Sequence, residues 1–177
     1  VYTNYPTAEL FINGKSYGKQ SKNDSSLKNR YRLMWMDAVY EPGEVKVIAY
    51  NKDGKAVAEK VVRTAGKPHH IELVSNRNEL TADGKDLAYV TVKVVDKDGN
   101  LCPTDNRQIN FSAKGTGKYR AAANGDPTNL EQFHLPKMHT FNGMLTAIIQ
   151  AGETAGEIVF TAKANGVKAG NIRIQTK

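Results

Sequence analysis

Ala88-Tyr89-Val90-Thr91-Val92-Lys93-Val94 is the stretch that decides the fold. Ala88, Val90, Val92 and Val94 stand at every second position, and Lys93 falls between them. In an extended chain alternate side chains point to opposite faces, so these seven residues read as a strand with one apolar face. The same period runs through residues 44–50, where Val45, Val47 and Ala49 share a side, and through 108–113, 157–163 and 171–175. Turn pairs lie between the runs: Asn13-Gly14, Pro42-Gly43, Asp53-Gly54, Asp98-Gly99, Asn142-Gly143 and Asn165-Gly166. Asn-Gly and Asp-Gly tolerate positive φ and close hairpins. Short strands at this spacing predict an all-β chain folded as sandwich or barrel.

Helix is almost absent from the pattern. The one capping-box match is Thr128-Asn129-Leu130-Glu131, in which Thr accepts from a backbone N–H and Glu reaches back. Pro136 stops any helix within a turn or two, so the match predicts a short helical turn inside a long loop. On such a turn Leu130 and Phe133 share a face and anchor the loop on the sandwich.

A boundary is expected at Thr64-Ala65-Gly66-Lys67-Pro68-His69, where Gly and Pro adjoin and a fresh strand begins at Ile71. It gives two tandem immunoglobulin-like β-sandwich domains, 1–66 and 67–177. The second has the size of such a sandwich; the first is short for seven strands and reads as truncated at its N-terminus. One phrase occurs on both sides of the boundary, Asn51-Lys52-Asp53-Gly54-Lys55 and Asp96-Lys97-Asp98-Gly99-Asn100, each time after an alternating strand. The second copy has part of the look of a calcium loop, but it lacks the spaced ligands and terminal Glu, so a plain turn is expected.

Composition narrows the function. The chain of 177 residues is 40% hydrophobic and 24% charged, which is ordinary for a soluble globular protein. It is too short for a (β/α)₈ barrel, which needs about 200 residues or more. It carries no apolar run of about 20 residues and no signal peptide. It starts at Val1 inside what reads as a strand, and so is expected to be a piece of a longer protein. A single cysteine, Cys102, excludes an internal disulfide and a multi-cysteine zinc site, and reads as a half-buried apolar residue. The net charge of +7 is concentrated in residues 1–67, with 12 Lys and Arg against 7 Asp and Glu. Nucleic-acid binding would want interleaved aromatics or a recognition helix, and neither is evident, so the basic stretch from Lys15 to Arg32 reads as a solvated loop.

No nucleophile motif, zinc-protease motif, Walker loop or dinucleotide fingerprint occurs. The unusual segment is residues 123–134, which packs Asn124, Asp126, Glu131 and His134 into a loop longer than a sandwich connection needs. Its side chains either brace their own backbone or form an interdomain or ligand contact. His69-His70 reads as solvated. Trp35, the only tryptophan, offers a face that could stack on a sugar, although a lone Trp in an apolar strand reads more readily as core. No metal site and no cofactor are expected.

Residues 5–18 (Tyr5-Pro6-Thr7-Ala8-Glu9-Leu10-Phe11-Ile12-Asn13-Gly14-Lys15-Ser16-Tyr17-Gly18), together with Arg32-Leu33-Met34-Trp35 and residues 39–50, resemble C-terminal domains of glycoside hydrolase family 2. Ala123-Asn124-Gly125-Asp126-Pro127-Thr128 and Phe141-Asn142-Gly143 resemble the last immunoglobulin-like domain of the same bacterial β-galactosidase-like enzymes. The resemblance implies a parent that cleaves β-glycosidic bonds with retention, using two glutamates on a (β/α)₈ barrel upstream. This chain would then be a non-catalytic accessory region partnered by that barrel, in the periplasm or at the cell surface. Carbohydrate is a further partner to consider. Two other classes stay open at this point: a tandem immunoglobulin-like stalk of a bacterial adhesin, and an independent carbohydrate-binding module.

Overall fold

The computed structural model describes residues 1–177, which form thirteen strands and no helix. Compactness divides the chain into two units, Val1–Thr64 and Ala65–Lys177.

The first unit is one antiparallel sheet of β1 (Thr7–Ile12), β2 (Lys15–Ser21), β3 (Glu44–Tyr50) and β4 (Ala56–Arg63), in the order β2-β1-β3-β4. Asn13-Gly14, both at positive φ, closes the β1–β2 hairpin. Ala8, Leu10 and Ile12 alternate inward and are buried; their partners across the pair are Ala49, Val47 and Val45. The unit contains no second sheet. The 22–43 connection instead supplies Leu33, which is 2% exposed and exchanges two backbone hydrogen bonds with Val1, at 2.8 and 2.9 Å.

The second unit is a two-layer sandwich. One sheet runs β10 (Lys137–His139), β8 (Gln108–Gly115), β12 (Gly156–Lys163), β13 (Gly170–Thr176), β6 (Glu79–Leu80); the other runs β5 (His70–Ser75), β7 (Leu87–Val95), β11 (Met144–Ala151), β9 (Gly117–Ala123). Every contact in both sheets is antiparallel except the two-residue pairing of β6 with β13. Ala88, Val90, Val92 and Val94 of β7 are fully buried, as their period requires, and close one core with Ile109, Phe111, Ile158 and Phe160. The Phe111 and Tyr119 rings bridge the layers 5.4 Å apart, and Phe160 lies beside Phe111 on the same sheet at 5.8 Å. Cys102 belongs to the core, more deeply buried than its sequence setting suggests.

The repeated phrase builds the same turn twice. Asn51 Oδ1 accepts from the N–H groups of Asp53 and Lys55, and Asp96 Oδ1 accepts from those of Asp98 and Asn100. Gly54 and Gly99 close the two turns at φ 76° and 82°, a conformation that costs a side chain steric strain. Asp96 goes further: its Oδ2 accepts from the Gly66 backbone 2.7 Å away and from the Asn100 amide at 3.0 Å. The Gly66 N–H, with the Asn100 amide behind it, holds this carboxyl far below the usual carboxylate range. The expected plain turn is therefore also a latch on the start of the unit. The His69-His70 pair is half-buried rather than solvated, with Nδ1 of the two rings 3.0 Å apart, because His70 opens β5.

Candidate functional site

The 124–136 segment joins β9 to the short edge strand β10. It contains no helical turn, contrary to the capping-box expectation. The reason is local competition. Asp126 Oδ1 accepts from both the backbone N–H and the hydroxyl of Thr128, each at 2.8 Å, so the Thr hydroxyl donates to an aspartate instead of capping a helix. A series of such short loops carries the chain forward. Asn124 Oδ1 accepts from Asp126 N at 3.1 Å, and Asn129 Oδ1 accepts from Glu131 N at 2.9 Å.

Long-range bonds then fasten the loop. Asn124 Nδ2 donates to the His139 carbonyl at 3.0 Å. Glu131 does not reach back to residue 128. Its carboxylate accepts from the His139 backbone at 3.1 Å and meets His139 Nδ1 at 3.0 Å. Partial burial pushes the Glu131 carboxyl up, but the His139 backbone and ring outweigh it, so the group sits below its usual range. Tyr119 on β9 donates its hydroxyl to the carbonyls of Leu135 and Phe133, at 2.7 and 3.1 Å. Burial pushes that phenol up to about 12.

The expected apolar anchors fail. Leu130 is 96% exposed and Phe133 more than half exposed, because without a helical turn they share no inward face. The loop is held by Tyr119, a residue on the preceding strand; its alternating position on β9 was the available signal. His134 is exposed. Trp35 lies in the 22–43 connection rather than in a core strand, half-buried, with Nε1 donating to the Gly18 carbonyl at 2.9 Å. Of the five candidate residues, Asn124, Asp126 and Glu131 come together in one hydrogen-bonded loop. His134 stays out in solvent, and Trp35 belongs to the other unit. No group of three or more His, Cys, Asp or Glu is arranged to hold a metal.

Residues 71–173 match the family described as glycoside hydrolase family 2 C-terminal domain 5. The chain belongs to that family. Residues 1–58 of the family 2 chain match a second family, described as a domain of unknown function, DUF4982. Across 176 residues the family 2 chain is 40% identical to the β-galactosidase BoGH2A of Bacteroides ovatus, covering 99% of this chain and 20% of that protein. Among solved structures, a family 2 glycosyl hydrolase from Bacteroides cellulosilyticus superposes with a TM-score of 0.88 at 32% identity, over 99% of this chain and 22% of the other. A β-glycosidase from Bacteroides vulgatus gives 0.88 at 26%, over 97% and 21%. The family 2 chain thus spans about one fifth of these relatives. The adhesin stalk and the free-standing sugar-binding module gain no support from them.

Proposed function

We propose that this chain is the non-catalytic C-terminal accessory region of a retaining, β-galactosidase-like glycosidase whose (β/α)₈ barrel lies upstream in the same polypeptide. The observation that carries the reading is the match along 99% of this chain to one fifth of a β-galactosidase.

The test is an assay of the 177-residue chain against a panel of chromogenic β-galactosides. No turnover above buffer is expected. Turnover that copurifies with the chain and vanishes when one of its own carboxylates is replaced refutes the proposal. An exported location, in the periplasm or at the cell surface, is part of the same proposal and is tested by fractionating the producing cells.

A further inference from the structure

The connection from Lys22 to Gly43 exposes more apolar surface than a loop of its size needs. Leu27, Tyr31, Met36, Val39 and Tyr40 are each more than two-thirds exposed, while Leu33 is the one residue of the segment that is fully buried. Looseness does not explain the exposure. The Arg30 guanidinium donates twice to the Asp24 carbonyl, at 2.8 and 3.0 Å, and Arg32 Nε donates to the Lys28 carbonyl at 3.0 Å. Trp35 is tied to Gly18, and Tyr40 Oη lies 3.1 Å from Thr64 Oγ1. The backbone is pinned, so these side chains have no route into the core. Within the connection an open groove of about 420 Å³ is lined by the apolar Met34 and Met36, the basic Lys28 and Arg32, and the polar Ser26 and Asn29. Across the connection Lys22, Lys28, Arg30 and Arg32 stand against Asp24, Asp37 and Glu41, but the charged side chains that line the groove, Lys28 and Arg32, are both basic.

We propose that this connection is a docking surface for an acidic, partly apolar face on the part of the same polypeptide outside residues 1–177. The inference rests on the proposed function, which makes this chain a region of a longer enzyme. Exposed apolar clusters mark interaction sites, and Tyr, Met and Arg are enriched at interfaces. Two observations select the occupant. The matched relatives hold about four-fifths of their length outside the matched region, so a tethered partner stands at high effective concentration and a modest contact suffices. A second copy is the poorer fit, because a two-fold contact sets the same patch on both sides, bringing Lys28 and Arg32 against their own copies. An acidic face answers the Lys28 ammonium and the terminal nitrogens of Arg32, and apolar side chains answer Met36 and Leu27.

The experiment is hydrogen exchange of the amides of residues 22–41, measured in the 177-residue chain and in the full-length polypeptide. Exchange slower by about tenfold or more in the full-length protein is expected, corresponding to one added closed contact. Lys28→Glu and Met36→Glu, at exposed positions, should restore fast exchange in the full-length protein and leave the melting temperature of the 177-residue chain unchanged. Equal exchange in both proteins overturns the proposal. So does protection that rises with concentration of the short chain, which marks self-association, or protection that needs added saccharide. The full-length sample is assayed on β-galactosides in parallel. Turnover without protection overturns the docking surface alone; protection without turnover keeps the surface and overturns the glycosidase reading.

Discussion

Replacing Phe160 by Ala tests the packing argument where it is most exposed to failure. Phe160 has no solvent exposure and stacks on Phe111 at 5.8 Å with 23° between the rings. Deleting a fully buried phenyl ring costs about 3 to 5 kcal/mol, of which the aromatic pair accounts for roughly 1. For a domain of this size each kcal/mol lowers the midpoint by about 4 °C, so the transition of the second unit should fall by roughly 12 to 20 °C. Phe111 also stacks on Tyr119, whose hydroxyl holds the 133–135 backbone, so the cavity should loosen that loop as well. Tyr119→Phe separates the two effects: it keeps the ring and removes the hydroxyl, at about 0.5 to 1.5 kcal/mol. Differential scanning calorimetry of wild type, both single variants and the double variant gives the coupling directly. A shift below about 4 °C for Phe160→Ala would mean that the sandwich is not packed around this ring, and the reasoning from burial would be wrong.

Leu130→Ala should change unfolding free energy by less than about 0.5 kcal/mol in denaturant titration, since the side chain is already in water. Glu131 carries its stabilisation above its unfolded-state pKa of 4.5 and loses it as pH falls through the depressed folded value, so wild type should lose more stability on acidification from pH 5 than Glu131→Gln. Tyr119, raised to about 12 from 10, stabilises below pH 10 and loses that contribution as pH climbs towards 12; its late tyrosinate absorbance step should be missing from Tyr119→Phe. Gly143→Ala should destabilise the second unit by more than about 1 kcal/mol in thermal melts, because φ is 76° and the added methyl runs into the Cys102 carbonyl.

What the sequence discloses and what it hides divide along range. Val90, Val92 and Val94 announce their burial because strand alternation is a property of neighbouring residues, and Asn142-Gly143 announces its turn for the same reason. The Thr128–Glu131 pattern misleads because four residues hold two solutions, a helix cap and a run of side-chain-to-backbone turns. Asp126, two positions upstream, decides for the second. The reach of Asp96 to Gly66 across thirty residues, and of Glu131 to His139 across eight, depends on where strands fold to, which no local pattern contains. In the 124–134 loop the polar density was legible; the partners of Asn124, Asp126 and Glu131 were not.

Cys102 has a use that its depth in the core creates. It is the only thiol in the chain and is 3% exposed, with burial raising its pKa so that little thiolate forms in the folded unit. A disulfide reagent can therefore react only through an opened form of the second unit. The labelling rate becomes a stopwatch for that opening, run on unmodified protein, and it is silent to any motion confined to residues 1–64.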